Sequence, residues 1–463
     1  MACRVRRRAI LTPGARFEAA IELLDAIERG GAPADDLVAT YFRRHRFAGV
    51  KDRAAISEHI YAALRRRGAL DWWLQRTASA LPKDGRGRLL AALVLIEGWA
   101  PSAINAACDG DRFRPRPLSR EEHQFIGMIA GAKLLHRDMP PDAMGNSPAW
   151  LAPHLEAALG RDLAREVAAL NEPAPLDLRV NTLKTEREAA KAALRRDDIP
   201  AASTKLSPLG LRLFARAPLA TLAIFKAGGI EVQDEGSQLA ALLVDARPGM
   251  RVVDFCAGAG GKTLALAATM ANRGHLVACD VSALRLERAT QRLRRAGVSI
   301  VQRQPLSSHR DQWVKRHAKS FERVLIDAPC TGTGTWRRNP DAKWRLRPQD
   351  LAELTALQAE ILKSAQRLVK PGGRLVYVTC SLLREEDESQ VERFLAAHPD
   401  FALVPVGEVW RNALGGKSPT DEPMLRLTPA RNGTDGFFIA VMEREAKADH
   451  VPLPADGRAQ AES

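Results

Sequence analysis

The sequence has few cysteines, and their spacing excludes two common roles. Six occur in 463 residues, at positions 3, 108, 256, 279, 330 and 380, with no C-x-x-C pair and no Cys/His cluster. Zinc sites and disulfide frameworks need such patterns, so neither is predicted and no bound metal is expected. Free cysteines are typical of a reducing cytosol, and a cytoplasmic location is predicted.

Long apolar runs are also missing. The longest, Leu89–Ile96, is far short of the ~20 residues that cross a bilayer, so no membrane partner is expected. The N-terminal stretch MACRVRRRAIL is basic but lacks the apolar centre of a secretory signal. Because no acid precedes Glu18, an organellar transit segment stays open as an alternative.

Acidic residues are outnumbered by basic ones. The chain has 69 Lys and Arg against 55 Asp and Glu, which gives a net charge of +14 and an isoelectric point of about 9.8. Arginine runs stand at 6–8, 43–44 and 65–67. Such an excess favours a polyanionic partner, and nucleic acid is the commonest one. For any single run, a solvated helix face is the alternative.

Hydrophobic periodicity divides the chain into several parts. Residues 1–140 are predicted to be an all-α bundle, because FEAAIELLDAI and DRAAISEHIYAALRRR repeat apolar residues at helical spacing. Residues 148–235 mix strand and helix patterns and are predicted to form a small α+β domain. Residues 236–445 alternate buried strands with helices, which indicates an α/β, doubly wound, mostly parallel sheet. Residues 446–463 are polar and are predicted to be a disordered tail.

Within the α/β part, the strand candidates are RVVDF, HLVACD, FERVLID and RLVYVTC. Helices are predicted between them over 262–272, 282–296 and 349–369. Asp327 ends the third of these strands and Cys380 ends the fourth, at the sheet edge where α/β folds bind ligands. We therefore expect Asp327, Cys330 and Cys380 to converge beside the turn that follows the first strand.

That turn, in VVDFCAGAGGKT, is glycine-rich and opens a helix. A P-loop would need Gly at position 256, which is Cys, and the dinucleotide fingerprint would need Gly at 263, which is Thr. The next strand ends in Asp280, where an acid accepts hydrogen bonds from ribose hydroxyls. A nucleoside without a polyphosphate, such as S-adenosylmethionine, fits this pattern better than ATP does. A purely structural turn with a surface Asp is the alternative.

Paired thiols beside a methyl donor suggest one particular chemistry. Carbon 5 of a pyrimidine is a poor nucleophile, but a thiolate added to C6, with a proton delivered toward N3, makes C5 able to attack a methyl group. Cys330 or Cys380 could supply the thiolate and Asp327 the acid. A single cysteine is more often a small buried hydrophobe, and the local sequence does not choose between the two thiols.

The motifs resemble those of the RsmB/Sun-type RNA cytosine-5 methyltransferases, and they occur in the family's order. They are VQDEGSQL (232–239), DFCAGAGGKT (254–263), DVSALRLER (280–288), DAPCTGTGTWRRNPDAKW (327–344), TCSLLREEDE (379–388) and DGFF (435–438). The segment KDRAAISEHIYAALRRRGALDWWL is similar to a NusB-like RNA-binding domain. LRVNTLK is similar to the family's small RRM-like domain, which precedes a Rossmann-like methyltransferase domain.

The resemblance implies residue roles. S-adenosylmethionine would be held by Cys256, Ala257, Gly258, Ala259, Gly260, Gly261 and Lys262, by Asp280 and Arg285 near its ribose, and beside Asp327. Asp327 would also hold the N3/N4 edge of the cytosine. Cys380 would be the nucleophile, and Cys330 would assist release of the methylated product.

The resemblance also implies the partner, with some departures from the family pattern. The expected substrate is RNA, 16S ribosomal RNA first and transfer RNA as the alternative, and the expected state is a monomer. The cofactor turn reads Ala-Gly-Ala-Gly-Gly where many members have Ala-Ala-Pro-Gly-Gly. The Gly-Asp pair that usually faces the adenine is absent, since VQRQPLSSHRDQW has no acid before Asp311. Gln302 or Gln304 is the candidate replacement.

Overall fold

The computed structural model describes residues 11–76, 81–215 and 217–446. They form a helical N-terminal region, a small mixed unit and a Rossmann-like α/β domain, which confirms the predicted fold class. Cys3, the arginines at 6–8 and residues 447–463 of the predicted tail lie outside the described residues. Within the described ranges, no helix has both the length and the apolar character needed to cross a bilayer.

The N-terminal region is a bundle around one buried helix. Its helices are α1 (Pro13–Glu28), α2 (Ala34–Arg44), α3 (Val50–Arg65), α4 (Arg67–Gln75), α5 (Gly85–Leu95), α6 (Pro101–Ala107), α7 (Arg120–Ile129) and α8 (Pro141–Gly145). Helix α5 is buried from Gly85 to Val94, because its small and apolar residues let the neighbours pack on all sides. Its two arginines are paired, Arg86 with Glu122 and Arg88 with Asp71, each at 2.7 Å.

The middle unit is a four-stranded antiparallel sheet with two preceding helices. Its elements are α9 (Ala152–Leu159), α10 (Leu163–Leu170), β1 (Leu176–Val180), α11 (Arg187–Arg196), β2 (Ala201–Ser203), β3 (Gly210–Leu213), α12 (Ala223–Lys226) and β4 (Ile230–Val232), with strand order β2-β3-β1-β4. The pattern of this segment did not predict α9 and α10. They pack against Trp336, Leu382 and Leu383 of the α/β domain, in a core separate from that of the small sheet.

The α/β domain is built on an eight-stranded sheet in the order β10-β12-β9-β8-β5-β6-β7, with β11 paired to β12. Its elements are α13 (Glu235–Leu242), β5 (Arg251–Asp254), α14 (Gly261–Thr269), β6 (His275–Asp280), α15 (Ala283–Ala296), β7 (Val301–Pro305), α16 (Gln312–Arg316), β8 (Phe321–Asp327), α17 (Ala342–Arg345), α18 (Pro348–Ala365), β9 (Val369–Thr379), α19 (Glu388–Ala397), β10 (Phe401–Val404), α20 (Val406–Ala413), β11 (Leu425–Leu427), α21 (Pro429–Asn432) and β12 (Phe437–Arg444). Strands β9, β8, β5, β6 and β7 are parallel neighbours, and β12 runs antiparallel to β9. Strand β7 and the strands after β9 were not among the sequence-derived candidates.

Lys343 lies where the three parts meet. Its side chain is buried, and its Nζ donates hydrogen bonds to Asn171 Oδ1 at 2.7 Å and to the carbonyl of Arg65 at 3.2 Å. The ring centroids of Trp336 and Trp344 lie 5.8 and 5.4 Å from the ammonium. Burial first, and the charges of nearby arginines second, lower the pKa of Lys343 well below its usual 10.5.

This lowered pKa makes the stability of the junction depend on pH. The unfolded chain holds the Lys343 proton to higher pH than the folded chain, so the free energy of unfolding rises as the pH climbs from the folded pKa toward 10.5. In wild type the rise is worth up to about 1.4 kcal/mol per pH unit. Lys343→Met removes this titration, and we expect its urea midpoint, followed by tryptophan fluorescence, to lack the rise.

Lys417→Met is the matched control, because the Lys417 side chain is 83% exposed. Its urea midpoint should follow that of wild type at every pH. A gap between wild type and Lys343→Met that stays constant from about pH 7 to about pH 10 would contradict the lowered pKa.

Candidate active site

The predicted site residues lie along one edge of the large sheet. Strands β9, β8, β5 and β6 are parallel neighbours, so their carboxyl ends meet at the same edge. There β5 ends at Asp254, β6 at Asp280 and β8 at Asp327, and Cys380 directly follows β9. Three carboxylates and a thiol, from residues far apart in sequence, therefore share one sheet edge.

The glycine-rich turn between β5 and α14 is held from below by Asp280. One carboxylate oxygen of Asp280 accepts the N–H of Gly258 and the other accepts the N–H of Ser282, both at 2.8 Å. Gly260 precedes α14 with a φ of +79°, and a Cβ there would lie only 3.0 Å from the Cβ of Ala289. Glycine is therefore required at 260 both for the backbone conformation and for close packing on α15.

A cleft of about 390 Å³ opens above this turn. The turn contributes Cys256, Ala257, Gly258, Ala259, Gly261 and Lys262 to its lining, and Val232, Gln233, Asp234, Ser237, Arg285, Asp327, Arg338 and Asp435 complete it. Gly260 and Asp280 lie beneath the lining and shape it. Arg285 is 60% exposed, with Nη1 3.6 Å from the Asp280 carboxylate. The cleft size lies within the range of small-molecule sites.

One wall of the cleft comes from the middle unit and is fixed by a buried arginine. Arg179 of β1 donates to the carbonyl of Gly261 at 2.9 Å and to the side chain of Gln233. Burial lowers the pKa of Arg179 to about 10, so the guanidinium stays charged at neutral pH. On the other side of the turn, Arg292 of α15 donates to the carbonyl of Ala259 at 2.6 Å. The turn is thus held through its backbone by two cations.

Asp254 is a site residue that the sequence motifs did not single out. It is fully buried and accepts a hydrogen bond from the Thr263 hydroxyl at 2.7 Å, while its Oδ1 has no partner within the described part of the chain. Burial raises the pKa of Asp254 to about 7. The pairing ties the end of β5 to the first turn of α14. The sequence feature that could have identified Asp254 is an acid at the end of a strand, a few residues before the glycines.

Lys262 and Asp327 form an ion pair at the mouth of the cleft. The Lys262 Nζ lies 2.6 Å from Asp327 Oδ2 and 5.4 Å from the ring centroid of Phe437. The lysine side chain is almost fully buried, whereas the Asp327 side chain is 34% exposed. The pair therefore presents a carboxylate oxygen to the cleft, with a proton donor directly behind it.

The two thiols face each other beside this pair. The Cys330 and Cys380 sulfurs are 3.4 Å apart, and both residues are half-buried. Interaction with Cys380 and then burial raise the pKa of Cys330 well above its usual value. At neutral pH Cys330 is therefore a protonated thiol that can donate a hydrogen bond to the Cys380 sulfur.

A buried carboxylate, Glu386, connects the two loops that carry the thiols. It accepts hydrogen bonds from the backbone N–H of Thr331 at 2.8 Å, from the Ser381 hydroxyl at 2.5 Å and from Gln358 Nε2 at 3.0 Å, as well as from the Thr331 hydroxyl. Thr331 follows Cys330 and Ser381 follows Cys380 in the sequence. Because Glu386 binds the residue next to each cysteine, it fixes the distance between the two sulfurs.

Close glycine packing holds the same loop from the other side. The Gly334 N–H donates to the carbonyl of Cys380 at 2.9 Å, and Gly436 N–H donates to the carbonyl of Gly334 at 2.8 Å. A Cβ at Gly334 would lie 2.4 Å from the Gly436 carbonyl oxygen. No larger residue fits at position 334 without moving the backbone, which explains the second glycine of CTGTGTW.

Two arginine–aspartate pairs join this loop to the middle unit and to β12. Arg337 Nε donates to Asp435 at 2.7 Å and Arg338 Nη2 donates to Asp234 at 2.9 Å, while Arg338 also reaches Asp435. Burial first, and the adjacent Asp435 second, raise the pKa of Asp234 to about 6. Asp234, Arg338 and Asp435 of this cluster line the cleft together with the turn.

Asp311 is the first acid after β7, and its carboxylate is occupied as a helix cap. Asp311 accepts the N–H groups of Trp313 and Ser307 as the cap of α16, and these bonds lower its pKa to about 2. Gln304 pairs with Cys279 in the β6–β7 register and so lies near the same sheet edge. Gln302 and Gln304 stay predictions for that role. No cluster of metal-ligating side chains occurs in the described ranges.

Comparison with known proteins places these features in one family. The family described as 16S rRNA methyltransferase RsmB/F matches residues 241–443, and the RsmF/B-like ferredoxin-like domain matches residues 147–220. Ribosomal RNA small subunit methyltransferase B of Sodalis glossinidius (strain morsitans) is 32% identical over 415 residues, 86% of this chain and 91% of that protein. Its namesake from Salmonella paratyphi B is 32% identical over 407 residues, covering 84% and 90%.

Solved structures agree with this result. The crystal structure of PH0851 has a TM-score of 0.74 at 28% identity, covering 94% of this chain and all of that one. A methyltransferase homolog from Pyrococcus horikoshii has a TM-score of 0.56 at 29% identity, covering 65% and 97%. NSun6 from the same organism, solved with SFG, has a TM-score of 0.56 at 20% identity, covering 64% and 98%, and shows the likeness of fold.

The short separation of the thiols predicts that they are captured as a pair. Phenylarsine oxide condenses with two neighbouring thiols and releases water, and we expect one equivalent to bind per chain, as measured by intact mass. Cys330→Ala and Cys380→Ala should each abolish this tight binding, because one thiol cannot form the ring. Cys256→Ala is the control that should retain it. Binding that survives both single substitutions would contradict the paired geometry.

The same reaction tests the role of Glu386. Glu386→Ala keeps both thiols but removes the acceptor of four donors, so we expect arsenical capture to slow by roughly tenfold as the loops separate. Glu385→Ala is the matched control, because the Glu385 side chain is 40% exposed and contacts His154 at 2.5 Å. Equal capture rates for the two variants would refute the positioning role. Far-ultraviolet circular dichroism checks that both variants are folded.

Proposed function

The chain belongs to the RsmB/F family of 16S rRNA methyltransferases, and from this membership and the geometry of the sheet edge we propose that it methylates carbon 5 of a cytosine in 16S ribosomal RNA. As a member of the family it is an S-adenosylmethionine-dependent methyltransferase that acts on RNA. The single observation that carries the cytosine-5 proposal is the pair of facing thiols, 3.4 Å apart, beside the Lys262–Asp327 ion pair.

The cleft fits S-adenosylmethionine. Its floor is a backbone turn with two positive-φ glycines at the start of α14, so N–H groups can approach the ligand closely. Each Asp280 oxygen accepts one backbone N–H and keeps a further lone pair for a ribose hydroxyl. We assign the cofactor to residues 256–262, Asp280 and Arg285, where it would supply an electrophilic methyl group next to Asp327.

The first chemical step assigned to this chain is nucleophilic addition. Cys380, as the thiolate left when its proton departs to solvent, forms a bond from its sulfur to C6 of the cytosine. The electrons of C5=C6 then become C4=C5, and those of N3=C4 move onto N3. A proton must then reach N3. Asp327 would hold the N3/N4 edge, and the Lys262 ammonium, 2.6 Å behind its carboxylate, is the proton source. The ion pair thus both orients the base and neutralises developing charge.

The second step restores the aromatic ring and releases the enzyme. Once C5 carries the methyl group, its proton leaves to a base, the electrons of the C5–H bond re-form C5=C6, and the N3 proton returns to the Lys262–Asp327 pair. The C6–S pair returns to Cys380 as a thiolate. The Cys330 thiol lies 3.4 Å from that sulfur and can donate a hydrogen bond to the departing thiolate. This accounts for a release role of Cys330 in physical terms.

The proposed function is tested by mapping 5-methylcytosine in the cell. Bisulfite sequencing of 16S ribosomal RNA from wild-type and deletion strains should show one protected cytosine that loses protection on deletion. Transfer RNA read in the same libraries distinguishes the alternative substrate. If no cytosine changes in either RNA, the proposed reaction is wrong.

The two thiols are predicted to fail in different ways. Cys380→Ala should abolish methylation and covalent adducts with RNA, since no bond to C6 forms. Cys330→Ala should lower turnover by at least about a hundredfold and accumulate an adduct, because departure of Cys380 stalls. Labelled RNA that migrates with the protein after denaturation measures the adduct.

Cys108→Ala, in the N-terminal bundle, serves as the control and should behave as wild type. An adduct that accumulates in Cys380→Ala and not in Cys330→Ala would reverse the assignment and make Cys330 the nucleophile.

A further inference from the structure

A second cleft lies next to the thiols, between the N-terminal bundle and the loop after Cys330. It measures about 310 Å³ and is lined by Pro33 and Asp35 at the start of α2 and, from the α/β domain, by Thr331, Gly332, Thr335, Asn339, Asp341, Ala342 and Arg345. Thr331 and Gly332 directly follow Cys330. The start of α2 is fixed there, because the Ala34 N–H donates to Asp341 at 3.1 Å. The first turn of α2 therefore lies next to the residues that follow Cys330.

One face of α2 leads away from this cleft. Asp35, Ala39 and Arg43 are exposed and spaced four residues apart, so they follow one another along the same face of the helix. Asp35 lines the cleft next to the thiols, and Ala39 and Arg43 line another cleft at the far end, together with Arg46 and Arg53. The eight steps from residue 35 to residue 43 span ~12 Å at 1.5 Å per residue.

The two ends of this path differ in charge. The near end carries the carboxylates of Asp35 and Asp341, and Asp341 is paired with Arg345 at 3.0 Å, so this end is close to neutral and its carboxylates can accept hydrogen bonds from base amino groups. The far end is strongly basic, with Arg43, Arg44, Arg46, Lys51 and Arg53 within eleven residues of sequence. We call this group the α2 basic patch.

Exposed apolar side chains lie beside the α2 basic patch. Phe47 is 58% exposed and Val50 is 86% exposed. The Phe47 ring contacts His45 edge-on at 5.6 Å, and His45 stacks on Tyr41 at 3.9 Å. These ring contacts support the position of the Phe47 side chain. An exposed aromatic ring among arginines is the arrangement that single-stranded nucleic acid uses for stacking and phosphate contacts. A second copy of this chain is disfavoured as the occupant, because two such basic patches would repel.

We propose that the RNA segment flanking the target cytosine runs along this face of α2, with a neighbouring base in the cleft next to Cys330 and the following phosphates on the α2 basic patch. The inference rests on the proposed RNA methylation and adds the path of the strand. It assigns base recognition to Asp35, Thr335 and Asn339, phosphate contacts to Arg43 and Arg44, and stacking to Phe47.

The test uses the full-length protein and unmethylated 16S ribosomal RNA from a deletion strain, with labelled S-adenosylmethionine. Arg43→Glu/Arg44→Glu should raise KM for RNA by roughly tenfold or more and leave kcat near wild type, because the chemistry is untouched. It should also reduce the slope of log affinity against log salt by about 0.7 for each phosphate that the variant no longer neutralises. Phe47→Ala should raise KM by roughly fivefold or more.

Matched variants distinguish the path from a general charge effect. Lys133→Glu/Arg137→Glu makes the same change in net charge at exposed residues elsewhere in the bundle, and Phe214→Ala removes an exposed aromatic ring of the middle unit, 72% exposed. Both should leave KM and the salt slope near wild type. If the α2 variants match these controls while wild type methylates RNA, the path is wrong. If wild type methylates neither ribosomal nor transfer RNA, the proposed function itself fails.

Discussion

The buried carboxylate of Glu386 is the interaction on which the geometry of the site depends. A carboxylate without water must be satisfied by hydrogen bonds, and leaving one partner unpaired costs several kcal/mol. Glu386 obtains its donors from the residues that follow the two cysteines and from Gln358 on α18. Its need for partners therefore holds both thiol loops against α18. The sulfurs sit 3.4 Å apart because neither loop can move without exposing that charge.

The loop after Cys330 carries this constraint to the rest of the molecule. Glycines at 334 and 436 let it pass β12 at backbone contact distance, and Arg337 and Arg338 bind the acids of the middle unit and β12. A few residues later, Lys343 and Trp344 reach the end of α3, where Trp344 Nε1 donates to the carbonyl of Leu64 at 2.9 Å. One short segment thus contacts all three parts of the chain. The loop that carries Cys330 and the junction between the three parts therefore belong to one continuous segment.

Much of this arrangement could be predicted from the sequence, because parallel β/α units obey simple rules. Strand ends at Asp254, Asp280, Asp327 and Thr379 place their side chains at one edge whatever the helices do. The glycine turn could be read because only glycine tolerates its backbone angles. Sequence patterns predict local structure, and strand ends and turns are local features.

The remaining features depend on contacts between distant residues. Glu386 stands in a run of acids, and nothing in REEDE shows that Glu386 and Asp387 are buried while Glu385 and Glu388 are not. The helices at 152–170 pack their apolar residues against the α/β domain. The sequence of the middle unit alone therefore did not indicate them. The antiparallel strand β12 was missed because FFIAVMER is apolar throughout its first six residues, and such a run fits a helix as well as a buried strand.

The same carboxylate also contributes to the properties of the Cys330 thiol. Thr331 donates both its N–H and its hydroxyl to Glu386, which brings a negative charge close to Cys330. That charge adds to burial and to the Cys380 contact in raising the pKa of Cys330. A thiol that keeps its proton can donate it to the neighbouring sulfur, and a sulfur that receives that bond is better able to carry negative charge. Such a bond would help the proposed nucleophile before addition to C6 and again when it leaves. The sequence could not show this link, because the carboxylate that joins the two cysteine loops lies more than fifty positions from Cys330.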